Sequence, residues 1–341
     1  MTINYKQNVG RNTMNRLRDI VIICYCCIIA IEGNLTVGVL MSISYILGQL
    51  GGPIGQIQSL LTQYQMFKVS MARLSEVQRK ENEQQGAQEM QIDKFRHEIL
   101  FSEVSFKYEG SFSPNIFEGL SISFPANKMT AIVGNSGSGK TTLLKLIMGF
   151  YYPQKGKITI DETPLNEIDI NSWRNCCGVV LQDGKIFSGT ITENITLGSE
   201  IIDEKKIETV SKLACIDEFI QKQPGKYNMK IGSTGIELSQ GQKQRILIAR
   251  ALYKDPQLLI FDEATSSLDT VNERRIMDNL KYYFMGRTVI VVAHRLSTVV
   301  NADNIIFLEN GKIAEQGTHK TLVAKKGKYY ELIKNQLELE N

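Results

Sequence analysis

The residues best suited to chemistry begin at Gly134: Gly134-Asn135-Ser136-Gly137-Ser138-Gly139-Lys140-Thr141-Thr142. Three glycines in six positions let backbone N–H groups turn inward around an anion, and a lysine with a following hydroxyl completes the set. A second group, Asp262-Glu263, closes the apolar run Leu258-Leu259-Ile260-Phe261. A third, Leu238-Ser239-Gln240-Gly241-Gln242, opens the run from Lys243 to Leu252, which reads as a helix.

These residues need elements to hold them. Met129–Val133 reads as a short apolar strand, and Leu143–Met148 has helical character, so the glycine loop lies between a strand and a helix. That context makes it a P-loop, with phosphates at the helix N-terminus. Its lysine, Lys140, would reach the β- and γ-phosphates of a bound nucleotide, and the Thr141 hydroxyl would ligate Mg2+. On the second strand Asp262 would hold the metal shell, and Glu263 is placed to take a proton from an attacking water. Ser239 suits the N-cap of its helix, a second helix start favourable to phosphate. One P-loop suffices to hold ATP, so the second start suggests a further nucleotide contact. Upstream, Ile99–Val104 and Leu120–Phe124 read as alternating strands.

The chain has 341 residues, room for two domains, and a net charge of +3 that is too small to argue for a nucleic-acid partner. Six cysteines show neither zinc spacing nor a disulfide framework and read as reduced thiols. Histidines 97, 294 and 319 do not cluster with them. His97 and His319 read as surface or packing residues, and Trp173 as a core anchor.

The N-terminal part differs in kind. Ile20–Ile31 is uncharged and mostly apolar, Glu32-Gly33-Asn34 reads as a turn, and no charge occurs from Gly33 to Phe67. Thr36–Gln58 would span about 34 Å as a helix, enough for a ~30 Å hydrocarbon core. The first run needs Met14–Asp19 to complete its length. Arg11, Arg16 and Arg18 before the pair and Lys68 and Arg73 after it place both outer ends on the cytoplasmic side. The expectation is two membrane helices, about 14–31 and 35–58, in a domain 1–67. A charge-rich connector follows at 68–97, with a helix Met71–Glu81 and a linker at Gln84-Gln85-Gly86. The nucleotide domain is 98–341.

With these motifs in order, residues 98–341 resemble the ATP-binding-cassette family. Gln182 in Val-Val-Leu-Gln-Asp looks like its Q-loop residue, Ser267-Leu268-Asp269 like its D-loop, and His294 in Val-Ala-His-Arg-Leu like its switch histidine. Tyr108 sits where the family stacks an aromatic on adenine. The resemblance implies an α/β P-loop domain: a RecA-like core with an antiparallel β subdomain and a helical subdomain, preceded by a partial all-α membrane domain. It implies ATP and Mg2+ as ligands, the metal held by Thr141, Gln182 and Asp262. It also implies a head-to-tail dimer with a second nucleotide-binding domain. In that dimer Ser239 and Gly241 contact the γ-phosphate on the other chain's P-loop, His294 positions the water and Asp269 crosses the interface.

The hairpin resembles the last two membrane helices of exporters. Trp173-Arg174, Cys177–Gly184, Ile186-Phe187-Ser188, Leu238–Arg245 and Tyr330–Gln336 narrow the likeness to bacterial peptidase-containing, bacteriocin-type exporters. The implied function is ATP-driven export of a peptide across the bacterial cytoplasmic membrane, by a multi-pass protein with its ATPase in the cytoplasm. Lipid or drug export, and a soluble cassette ATPase acting on nucleic acid or ribosomes, are the alternatives. Gln240 stands where the family usually has glycine, and Gly232–Gly235 lacks its Glu-Arg pair. The family has six membrane helices, so the chain reads as a C-terminal piece, its remaining helices possibly on another chain.

Overall fold

The computed structural model describes residues 2–33, 35–78, 90–92, 94–110, 113–197, 199, 201–233, 235–265, 268–293 and 296–339. The chain forms two compact units, Met1–Asn82 and Glu83–Asn341.

The first unit is two helices, α1 (Thr2–Ile31) and α2 (Val37–Gln78). They are longer than the sequence spacing suggests. Helix α1 starts at Thr2, not near Met14, because nothing from 2 to 13 breaks a helix except the tolerated Gly10. Helix α2 does not stop at Gln58: the expected separate helix from Met71 is its continuation, since no breaker interrupts residues 59–70. Pro53 lies inside it. Interior proline costs about 3 kcal/mol in a soluble helix but is tolerated in membrane helices. Gly33, at φ 80°, makes the turn between the helices; Asn34 lies outside the described residues. Among the described residues one helix, Val37–Ser75, is long and apolar enough to cross a membrane. On α1, Arg18 pairs with Asp19 at 2.8 Å.

In the second unit the described residues build a six-stranded sheet in the order β12-β11-β3-β10-β9-β6. Its strands are β3 (Met129–Val133), β6 (Cys177–Val180), β9 (Leu258–Asp262), β10 (Thr288–Val292), β11 (Asn304–Glu309) and β12 (Lys312–Gly317). Only β12 runs antiparallel to its neighbour; the other pairings are parallel. A smaller antiparallel sheet has the order β2-β1-β4-β5, from β1 (Glu98–Phe106), β2 (Phe117–Pro125), β4 (Lys155–Ile160) and β5 (Thr163–Pro164). Strand β3 has the expected bounds; β1 and β2 are longer than their apolar runs. The short strands β7 (Gly189–Thr190) and β8 (Lys230–Ile231) pair with each other.

Strand period explains the layering. Ile132, Ile260 and Ile290 face a core shared with Phe101, Phe117, Phe124 and helix α3 (Lys140–Ile147). Their neighbours Ala131, Val133, Phe261 and Val291 face the opposite core, with Ile246 and Leu252 of α8 (Gln240–Tyr253) and Ile276 and Leu280 of α9 (Thr270–Phe284). Successive side chains point to opposite faces, so a sheet covered on both sides needs near-continuous apolar strands. Trp173 on α4 (Ile170–Asn175) is fully buried, packs its edge on Phe95, and donates from Nε1 to the Ile147 carbonyl at 2.8 Å. It is the packing anchor the sequence suggests. The remaining helices are α5 (Ile191–Ile195), α6 (Glu204–Leu213), α7 (Asp217–Gln221), α10 (Leu296–Val299), α11 (His319–Lys325) and α12 (Lys328–Leu339).

Candidate functional site

Four neighbouring parallel strands carry the motif residues at their carboxyl ends. Strand β3 runs into Gly134, β10 into Ala293, β9 into Asp262-Glu263, and β6 into Leu181-Gln182. The pairings Val292–Ile132, Val292–Asp262 and Val180–Phe261 bring these ends level. Ligands of open α/β sheets bind outside such ends. His294 and Ser267 themselves lie outside the described residues.

The glycine loop needs its glycines for different reasons. Gly134 has φ 149°, and a Cβ there would meet the Leu308 carbonyl oxygen at 2.1 Å. At Gly139, φ is 104° and a Cβ would strike the Phe117 ring at 2.8 Å. Gly137 has φ 80° with nothing within 4 Å. Gly139 precedes α3 with no side-chain cap, which leaves the first N–H groups of that helix for an anion. Asn135 and Ser136 are exposed on the loop.

Lys140 is buried and donates to the carbonyls of Gly134 and Asn135 at 2.8 and 2.9 Å, so its charge sits inside the loop. Burial lowers its pKa, and the Glu263 and Asp262 charges oppose that. Thr141 donates to Asp262 Oδ2 at 3.0 Å. Asp262 is 1% exposed, and its Oδ1 is buried without a hydrogen-bond partner. Burial raises its pKa; the Thr141 hydrogen bond opposes this, Glu263 adds to it and Lys140 counters it. A hydroxyl beside a carboxylate with one oxygen unclaimed is the hard-oxygen donor set that suits Mg2+. Ser138 Oγ, in the same loop, is likewise buried without a partner.

Glu263 follows β9 in a left-handed conformation, φ 50°. Its Oε2 accepts from Gln182 Nε2 at 3.1 Å, which joins the β6 and β9 strand ends. Tyr108 is half-buried; its hydroxyl lies 3.1 Å from Thr142 Oγ1, and its ring meets Tyr151 edge-on at 5.1 Å. It is thereby tied to the P-loop helix.

Ser239 caps α8: its hydroxyl accepts from the Gln242 backbone at 3.2 Å, and Gln242 Oε1 accepts from the Ser239 N–H at 2.9 Å. Ser239 and Gln240 are exposed and Gly241 is half-buried. Gln182, Gln240 and Lys243 line one open cleft of about 670 Å³. Asp269 caps α9, accepting from the Asn272 N–H at 2.9 Å, and the Asn272 hydrogen bonds lower its pKa. The sequence reading missed Gln244, a buried residue whose Nε2 donates to the Glu263 carbonyl at 3.0 Å. Its signal was a polar side chain on the apolar stripe shared with Ile248 and Ala251.

The ABC transporter family matches residues 117–266, spanning both the glycine loop and the Asp262-Glu263 strand end. Residues 117–266 form an ABC transporter domain. It is 40% identical over 302 residues to the alpha-hemolysin translocation ATP-binding protein HlyB of Escherichia coli, covering 89% of this chain and 42% of that protein. It is 41% identical over 313 residues to the toxin RTX-I translocation ATP-binding protein of Actinobacillus pleuropneumoniae, covering 92% and 44%. The chain thus spans under half the length of these relatives. A solved structure of a bacterial Atm1-family ABC exporter with ATP bound aligns with a TM-score of 0.73 and 33% identity, over 96% of this chain and 57% of that one. The exporter fold foreseen from the motifs is therefore the fold this chain has.

Proposed function

We propose that this chain binds ATP with Mg2+ and hydrolyses it to drive export of a polypeptide across a bacterial cytoplasmic membrane. The observation that carries this is the convergence of Lys140, Thr141, Asp262, Glu263 and Gln182 at adjacent strand ends, with a metal-suited oxygen of Asp262 unclaimed. The Gly134–Gly139 loop and the α3 N-terminus hold the β- and γ-phosphates, and Lys140 neutralises them. Thr141 and Asp262, with Gln182, would hold the metal, which would supply positive charge against that of the phosphates. Glu263 takes the proton of the attacking water, and the Gln182 amide orients its carboxylate. Tyr108 stacks on the adenine.

Hydrolysis needs a second copy or a related domain. Ser239 and Gly241, exposed or half-buried at the start of α8, suit a γ-phosphate held by the partner's P-loop. His294 contacts the γ-phosphate on its own chain's P-loop, and Asp269 lies at the interface. Helices α1 and α2 belong to the membrane part. The toxin-translocation names of the relatives support a protein or peptide cargo. A Glu263→Gln chain given ATP and Mg2+ should run on size exclusion as a nucleotide-loaded dimer. A monomer under saturating ATP would count against the shared site.

A further inference from the structure

The main chain of Glu263 is held from outside its own strand. Its N–H donates to the Val292 carbonyl at 3.1 Å, on the strand that leads to His294. The carbonyl on the other side accepts from Gln244 Nε2 at 3.0 Å. Between these two bonds the residue sits at φ 50°, a conformation that a side chain with a Cβ adopts only when its surroundings impose it. Gln244 is 7% exposed and belongs to α8, the helix that Ser239 caps. Gln244 lies five positions after Ser239, a rise of about 7.5 Å along the capped helix.

We infer that Gln244 is a positioning residue: it fixes the backbone of Glu263 to the start of α8 and so makes the general base of one ATP site respond to the nucleotide in the other. This rests on the reading of Glu263 as base and Ser239 as a contact to the partner's nucleotide. A γ-phosphate drawn against Ser239 and Gly241 of this chain moves or steadies α8 as a rigid rod. The Gln244 amide carries that constraint to the Glu263 carbonyl, and with it the orientation of the Glu263 carboxylate against Gln182. Gln244 acts through the Glu263 main chain. Its effect therefore falls on turnover and on cooperation between sites, while the P-loop that binds ATP in the same chain is left intact.

The test uses the full chain in lipid nanodiscs. The variants are Gln244→Met, which keeps length and bulk but loses the donor, and Glu263→Gln as reference. Phosphate release is measured against ATP concentration, and affinity by fluorescence of a methylanthraniloyl-ATP probe. The expected result for Gln244→Met is a kcat lower by about tenfold, probe affinity within about twofold of wild type, and loss of sigmoidal ATP dependence. Wild-type kcat and cooperativity in Gln244→Met, with Glu263→Gln inactive, overturn the link alone. Equal losses of probe binding and turnover also overturn it, because they mark Gln244 as a fold-holding residue only. Glu263→Gln turning over at the wild-type rate sinks the proposed function instead. Should Gln244→Met not fold, Gln244→Leu, also without the donor, is read by the same criteria.

Discussion

Alanine at Gly139 and alanine at Gly137 should have unequal effects, and the structure gives the difference. Both residues have positive φ, 104° and 80°, so each alanine meets a left-handed penalty of about 1–2 kcal/mol. At Gly137 that is the whole cost, since no atom lies within 4 Å of the new Cβ. At Gly139 the Cβ meets Phe117 Cε1 at 2.8 Å, Cζ at 2.9 Å and Ile116 Cγ2 at 3.2 Å. Phe117 is 1% exposed in the packed core and cannot swing aside, so overpacking adds roughly 1–3 kcal/mol. The totals are about 2–5 kcal/mol for Gly139→Ala and about 1–2 for Gly137→Ala. At roughly 2–4 °C per kcal/mol for a domain of this size, Gly139→Ala lowers the ATPase-domain Tm by about 4–20 °C. Gly137→Ala lowers it by no more than about 8 °C on the same scale. Scanning fluorimetry of the two variants beside wild type, without nucleotide, reads this directly. Equal shifts, or a larger one for Gly137→Ala, would refute the account of why the loop needs glycine at Gly139.

Other substitutions have defined outcomes. Burial raises the Asp262 pKa, so its proton-linked contribution to stability is full below the ordinary aspartate pKa and is lost as pH rises through the folded value. Asp262→Asn should accordingly raise the nucleotide-free Tm at neutral pH, lose that advantage in acid, and abolish hydrolysis; a Tm series across pH checks it. Trp173→Phe leaves the Ile147 carbonyl without its indole donor and should cost about 1–3 kcal/mol in denaturant unfolding. Ser239→Ala removes a helix cap worth about 0.5–2 kcal/mol, yet its main effect should be lost phosphate release with ATP binding retained, by rate and affinity measured side by side.

Much of this was legible because phosphate and metal chemistry impose short, local patterns. The glycine loop between β3 and α3, and the carboxylates ending β9, are read from spacing because strand, turn and helix start are all local. The length of α2 was not legible from composition: a span counted to Gln58 and the polar stretch after Phe67 look like boundaries, yet neither ends a helix whose backbone bonds continue. The strand ends that bring Gln182 to Glu263 were legible only through family likeness, since 81 positions separate the two. Gln244 escaped notice because its function is to hold a backbone carbonyl, and such a bond leaves no spacing pattern in the chain.

The central claim is that Glu263, held among Lys140, Asp262 and Gln182, drives hydrolysis of bound ATP. Phosphate release by the full chain with ATP and Mg2+, wild type against Glu263→Gln, tests it most directly. The account predicts turnover reduced by at least about 100-fold in Glu263→Gln, the share typical of a general base, with ATP affinity unchanged. Equal rates in the two chains would contradict it.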